Sequence, residues 1–145
     1  MKKITLFLLI LATLVMAFGF SYNNRDYKNS GIVFFEGTWE EALQKAKAEK
    51  KLIFLDAYAS WCGPCKMMKR RTFSDPKVGE QFNKYFISVA IDMEQGEGPE
   101  LARKFQVDSY PTLIFLQPDG KLITKAIGYH SPEEFLNIIK NISGT

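Results

Sequence analysis

The stretch Leu52-Ile53-Phe54-Leu55-Asp56-Ala57-Tyr58 is apolar at nearly every position, and Cys62 and Cys65 follow it almost at once. A run of this length is strand-sized, and a strand with a single charged residue has no face to offer to water. It must be covered on both sides, which a mixed or parallel sheet achieves by packing helices on each face. The chain therefore belongs to the α/β class. Its 145 residues suit one domain, and 46% hydrophobic residues, twelve of them Phe, supply a core without disulfide staples. Disorder and a disulfide-rich miniprotein are excluded. Asp56 is the anomaly: a carboxylate where the pattern demands a hydrocarbon.

The flanking segments fill in the layers. Ile32 to Phe35, ended by Gly37, reads as a first strand. Thr38-Trp39-Glu40-Glu41 is a capping-box pattern that opens a helix with Trp39, Ala42, Leu43 and Ala46 at helical spacing up to Lys51. A second helix is expected from Cys62 through Arg70, and a third from Asp75-Pro76 carrying Val78 and Phe82. Phe86 to Ile91 is a strand and Pro99 to Phe105 a brief helix. Thr112 to Leu116 and Lys121 to Ile127 form a hairpin across Gln117-Pro118-Asp119-Gly120. Ser131-Pro132-Glu133-Glu134 repeats the capping logic ahead of a final helix that buries Phe135, Leu136, Ile138 and Ile139. The expected order is βαβα(α)βαββα.

Nineteen basic against 16 acidic residues give a formal charge of +3, too small to argue for nucleic acid as a partner. With two Cys and one His, the chain cannot close a zinc site that needs about four such ligands. The chemistry rests on the two thiols. A helix N-terminus offers free N–H groups and partial positive charge, which lowers the pKa of a thiol placed there, so Cys62 is the natural nucleophile. Cys65 lies one turn on. In a regular helix their Cβ atoms would stand about 5 to 6 Å apart, whereas a disulfide wants about 3.8 Å. Gly63 and Pro64 let the first turn tighten. The pair can then open and close: Cys62 attacks a disulfide, and Cys65 resolves the mixed disulfide. No cation stands between the two cysteines to favour the reduced form, which argues for an electron donor over a strong oxidant. A structural disulfide or a pair of metal ligands is the competing reading of a bare CxxC. Burial raises the pKa of Asp56, fitting it to take a proton from Cys65; the alternative is a strand-end Asp bonded to nearby amides.

Trp61-Cys62-Gly63-Pro64-Cys65, the strand Phe54 to Ala59 before it, Lys66 after it and Tyr110-Pro111-Thr112 ahead of the hairpin resemble the thioredoxin superfamily over about Ile32 to Ile142. Thr38 and Phe73-Ser74-Asp75-Pro76 look more like secreted thioredoxin-like proteins and the C-terminal domain of DsbD-type reductases. The resemblance implies a thioredoxin fold, a central mixed β-sheet flanked by helices on both faces. It also implies a buried acid at Asp56, a cis peptide before Pro111, and a substrate segment paired with the backbone of Tyr110. Trp61, Gly63, Pro64, Tyr110, Pro111 and Gly128 would border the substrate groove. Two departures stand out. Val89-Ala90-Ile91 lacks the Lys that cytosolic thioredoxins place near the buried acid, and Tyr110 replaces their aliphatic residue.

Lys2 and Lys3, the apolar stretch Ile4 to Phe20, and small residues at Ala17, Gly19 and Ser21 fit a signal peptide over residues 1–21, with an uncleaved membrane anchor as the alternative. Residues 22–30 read as a polar tether and 31–145 as the thioredoxin-like domain. The folded part is then exported to the periplasm or another extracytoplasmic space. The expected function is a monomeric thiol-disulfide oxidoreductase without cofactor or metal. It would reduce disulfide-containing exported proteins and be recharged by a membrane electron donor. The alternatives are a metal-handling module using Cys62 and Cys65 as soft ligands, and a disulfide oxidase or isomerase. His130 reads as a surface loop residue. Lys66, Lys69, Arg70 and Arg71 read as a solvated helix face, and Met67 and Met68 as packing. The Gln95 to Pro99 loop is a candidate for partner specificity.

Overall fold

A computed structural model describes residues 31–143; the expected leader (1–21) and tether (22–30) lie outside the described residues. In chain order the elements are α1 (Trp39–Glu49), β1 (Leu52–Tyr58), α2 (Gly63–Met67), a π-helical turn (Met68–Thr72), α3 (Pro76–Tyr85), β2 (Phe86–Asp92), α4 (Gly98–Phe105), β3 (Thr112–Leu116), β4 (Leu122–Ile127) and α5 (Pro132–Ser143). The sheet order is β2-β1-β3-β4, with β2 parallel to β1 and both β3 on β1 and β4 on β3 antiparallel. This is the mixed sheet expected from the sequence.

The two-sided burial of β1 organises the rest. Successive strand residues point to opposite faces. Ile53, Leu55 and Ala57 join Trp39, Ala42 and Ala46 of α1 and Leu101 and Phe105 of α4 in one core layer. Phe54 joins Phe82 of α3, Phe135 and Ile139 of α5, Phe115 and Met68 in the other. The second layer is an aromatic stack. The Phe54 ring lies 5.0 Å from Phe82 and 5.4 Å from both Phe115 and Phe135, while Phe82 and Phe135 stack at 4.5 Å. Such edge and offset contacts add to the area term of burial.

Local chemistry sets the helix starts as expected. The Thr38 hydroxyl accepts the Glu41 N–H at 3.2 Å, and the Glu41 carboxylate accepts the Thr38 N–H at 2.8 Å. Asp75 caps α3 by accepting from Lys77 and Val78. At α5 the Glu134 carboxylate accepts the Ser131 N–H at 2.7 Å. Two expectations need correction. Ile32 to Phe35 does not form a strand but makes a single parallel bridge, Phe34 to Ser88. Its amides go to three different partners, Ile32 to the Phe73 carbonyl, Val33 to the Asn83 side chain and Phe35 to the Ser88 carbonyl, so no ladder extends. The helix expected from Cys62 through Arg70 breaks in two: α2 ends at Met67, and the chain widens into the π-turn, closed by the Phe73 N–H to the Met68 carbonyl at 2.9 Å. The wide turn lets Met68 and Thr72 both reach the segment before α5, where Thr72 Oγ1 donates to the His130 carbonyl at 2.6 Å and the His130 N–H to Met68 Sδ at 3.2 Å.

Phe54 is fully buried at the centre of the aromatic layer. Phe54→Ala is expected to cost about 3 to 5 kcal/mol of unfolding free energy. Urea denaturation followed by circular dichroism measures it; a loss below about 1 kcal/mol would mean that the layer collapses around the gap.

Candidate active site

Cys62 is not the first residue of α2 but its N-cap, with extended backbone at φ −68° and ψ 113°. Pro64 sits in the first turn, where a missing N–H costs nothing. The Cys65 N–H donates to Cys62 Sγ at 3.1 Å. Sulfur here takes the position that a Ser or Asp oxygen occupies in an ordinary cap. A thiolate on Cys62 would accept the same N–H, and charge strengthens such a bond. The two cysteines are joined as a disulfide with their Cα atoms 5.3 Å apart, within the span that a disulfide accepts.

Both cysteines are recessed. Cys62 is 2% and Cys65 6% exposed, packed with Ala59 and against Tyr58 and Tyr110. The rim around them is open: Gly63 and Pro64 are exposed, and Trp61 is 67% exposed. The remaining residues expected at the groove also converge. The Tyr110-Pro111 peptide is cis, as the resemblance implied. Tyr110 lies against the disulfide and meets the Trp61 ring edge-on at 6.0 Å. Gly128 donates its N–H to the Pro111 carbonyl at 2.9 Å with φ at +89°, a left-handed conformation that favours glycine. Ile127 beside it is exposed.

Asp56 lies on the same face of β1 as Phe54, toward the layer that holds the π-turn. It is 6% exposed, and its Oδ1 has no hydrogen-bond partner among the described residues. The reading of an Asp bonded to nearby amides therefore gains no support at that oxygen. Burial pushes the carboxyl up to about 7, and the positive charge of Lys69 pulls against that rise. Across the sheet, Asp56 is in register with Ala90 and Leu113, neither of which carries charge. The positive charge that acts on Asp56 comes from the π-turn, not from β2. Lys69 is exposed, as expected of a solvated face with Lys66, Arg70 and Arg71, yet its charge acts on the buried acid.

Other expectations sort as follows. Met68 is fully buried and Met67 half-buried, consistent with packing. His130 is not the surface residue expected: it is half-buried, with Nε2 enclosed and unpartnered among the described residues. The reason is the pair of bonds from Met68 and Thr72, which draw its backbone onto the π-turn. Among the described residues no three His, Cys, Asp or Glu side chains gather as metal ligands. One contact at the rim carries no signal in the sequence. Glu94, in the loop after β2, accepts the Trp61 Nε1–H at 2.9 Å.

Comparison with known proteins agrees with this geometry. A family model described as a thioredoxin-like domain matches residues 39–143. Thioredoxin H-type 2 of Nicotiana tabacum is 36% identical over 107 residues, 74% of this chain and 85% of the relative. The thiol:disulfide interchange protein DsbD of Yersinia pestis is 35% identical over 99 residues, 66% of this chain but only 17% of the relative's length. Among solved structures, a putative disulphide-isomerase from Bacteroides thetaiotaomicron is 38% identical with a TM-score of 0.69, covering 80% of this chain and 97% of that one. With a cysteine pair at the cap of α2 beneath a cis-proline loop, the chain belongs to the thioredoxin-like family and is a thiol-disulfide oxidoreductase.

Proposed function

We propose that the protein is exported and works as a reductase of protein disulfides. The observation that carries the reading is the Cys62–Cys65 pair at the α2 cap, on a sheet whose central strand holds a buried carboxyl poised near neutrality. In the reduced protein, the Cys62 thiolate attacks one sulfur of the substrate disulfide. The Cys62–substrate S–S bond forms as the substrate S–S bond breaks, and the departing sulfur leaves as a thiolate that takes a proton from water. Asp56, ionised at that moment, accepts the Cys65 proton, directly or through water. The Cys65 thiolate then attacks Cys62 Sγ, forming the intramolecular disulfide and releasing the second substrate thiolate. Two electrons pass to the substrate. A dithiol donor must return them, and the similarity to one segment of DsbD supports a membrane electron carrier in that role.

The recessed sulfurs define how a substrate enters. A nucleophile at 2% exposure meets an incoming sulfur only if the partner presents its cysteine on a thin, extended segment. The backbone of Tyr110, at the cis bond, is suited to pair with such a segment, while Trp61, Gly63, Pro64, Pro111 and Gly128 supply the walls. Support for the reducing direction comes from the cap itself: the two residues between the cysteines, Gly63 and Pro64, carry no charge. Export rests on the basic and then apolar start of the chain, Lys2 to Phe20.

Reduction of insulin by the protein with dithiothreitol as donor is expected to proceed catalytically and to vanish in Cys62→Ser. Equilibration with glutathione is expected to give a potential near the thioredoxin value of about −270 mV; a result near the DsbA value of about −120 mV would overturn the reducing direction.

Asp56 generates a pH prediction for the oxidised protein. Its carboxyl is raised from 3.8 to about 7 on folding, so between those values the native state keeps a proton that the unfolded chain has lost. Stability therefore falls as pH rises through that window, by at most about 1.4 kcal/mol per pH unit, and levels off above it. Asp56→Asn is expected to remove this slope and to be the more stable protein at pH 8. Urea titrations at pH 4.5, 6 and 8 measure it, and parallel pH profiles for the two proteins would remove Asp56 from the role of buried acid.

A further inference from the structure

The small net charge of the chain hides an uneven distribution. Residues 57–74, which contain the dithiol, carry Lys66, Lys69, Arg70 and Arg71 and no acidic residue. Residues 85–102, which contain β2 and the loop after it, carry Asp92, Glu94, Glu97 and Glu100 and no basic one. The two stretches meet at the active site. The basic strip begins at the residue after Cys65, and all four of its side chains are exposed. The acidic loop is tied to the end of β1, where the Met93 N–H donates to the Tyr58 carbonyl at 2.8 Å, and Tyr58 packs against the disulfide. Charge from both sides reaches the site. Burial raises the Asp56 carboxyl and Lys69 opposes that rise, while desolvation followed by the charges of Glu94 and Asp92 raises the Tyr110 hydroxyl. The dithiol thus lies on a boundary between positive and negative surface.

Stability does not account for the strip. Side chains three and four positions apart on a helix are neighbours, and like charges there repel. Among the described residues none of the four cations makes an ion pair, whereas Lys51 and Lys121 each do. Asp75, the next acid along the chain, turns its Oδ1 to the N–H groups of Lys77 and Val78. Exposed charges that the folded chain does not pair are available to charges on another molecule. An anionic bilayer is a poor match, because the acidic loop beside the dithiol would meet it with like charge; a polypeptide segment bearing both signs suits both banks. We propose that the protein selects its substrates by charge: the segment presented to Cys62 carries acidic residues on the flank that meets α2 and the π-turn and basic residues on the flank that meets the loop after β2, so that a protein disulfide docks in one orientation. The inference rests on the reductase reading and adds to it the class of substrate. The electron transfer remains that of Cys62 and Cys65.

The test mixes pre-reduced protein with short extended peptides whose single cysteine is joined by a disulfide to thionitrobenzoate. Attack on the peptide sulfur forms the Cys62–peptide disulfide and releases the coloured thiolate, whose appearance gives a second-order rate constant. Three peptides are compared: acidic residues before the cysteine and basic residues after it, the reverse order, and neutral residues throughout. At low ionic strength one bipolar order is expected to react about 3- to 10-fold faster than the other. The difference is expected to vanish at about 1 M salt, where the screening length is about 3 Å. Substituting Lys66→Gln, Arg70→Gln and Arg71→Gln together is expected to bring the two orders within about twofold of each other and to leave the neutral peptide at the wild-type rate. Glu94→Gln is expected to narrow the preference from the other bank. Equal wild-type rates for the two orders, or a preference that survives high salt or the triple substitution, would each overturn the proposal. Equal peptide rates together with sedimentation of the wild-type protein, but not the triple variant, on phosphatidylglycerol vesicles would overturn it in favour of a lipid surface. Wild-type protein that releases no thiolate from the neutral peptide would overturn the reductase reading, and charge selection with it, whereas normal release with equal rates for the two orders overturns charge selection alone.

Discussion

The cost of burying both faces of β1 is the constraint on which the remaining structure depends. Because Ile53, Leu55 and Ala57 face one layer and Phe54 the other, helices must close both sides, and the sheet can grow only sideways. β2 and β3 occupy the two flanks of β1, and β4 extends the sheet as a hairpin partner of β3. The ends of β1 and β3 then lie together, which brings Ala59 to Cys65 beside Tyr110 and Pro111. The site is a product of strand adjacency: segments far apart in sequence meet because the hydrocarbon content of one strand leaves them no other place.

That same burial sets the titration of Asp56. A carboxyl in the centre of an apolar sheet is stabilised as the neutral acid, and its pKa moves from the acidic range to about 7, the region where a proton exchanges with a thiol at neutral pH. The arrangement opposes stability, since a hydrocarbon at this position would impose no such cost. Lys69 moderates the effect from the π-turn. The turn carries a structural duty at the same time, because Met68 and Thr72 hold the His130 backbone and thereby seat the start of α5. A regular helix continued past Met67 would keep the 3.6-residue repeat, whereas the wider turn directs these side chains differently.

Most of the architecture was legible from periodicity and caps. The β1 run, the Thr38 and Ser131 capping boxes and the Gln117 to Gly120 turn are local signals, and each element appears close to where its signal stands. What escaped was non-local. Ile32 to Phe35 has the composition of a strand, but pairing depends on which acceptors lie opposite, and these are the Phe73 carbonyl, an Asn83 side chain and the Ser88 carbonyl. The break after Met67 carries no Pro or Gly to announce it; it answers to contacts with a segment some sixty residues later. At the site, the cysteine pair was visible because its spacing is local, and Asp56 because it interrupts an apolar run. Glu94 was invisible for the opposite reason. An acidic residue in a polar loop has no pattern to violate, and its pairing with Trp61 spans the gap between β1 and β2.

The depth of the cysteines reframes what the helix cap contributes. A fully exposed thiolate is stabilised chiefly by water, and a single backbone N–H changes little in that setting. At 2% exposure water is largely removed, and the Cys65 N–H and the end of α2 become the principal groups able to stabilise charge on Cys62. Recession disfavours the thiolate as burial disfavours the Asp56 carboxylate, so the cap works against a desolvation cost while access narrows. The narrowed access fits the partner proposed above, an extended chain that can reach past Trp61 and Tyr110. The demand on the cap and the narrowness of access thus share a single cause, the packing of Tyr58 and Tyr110 around the disulfide.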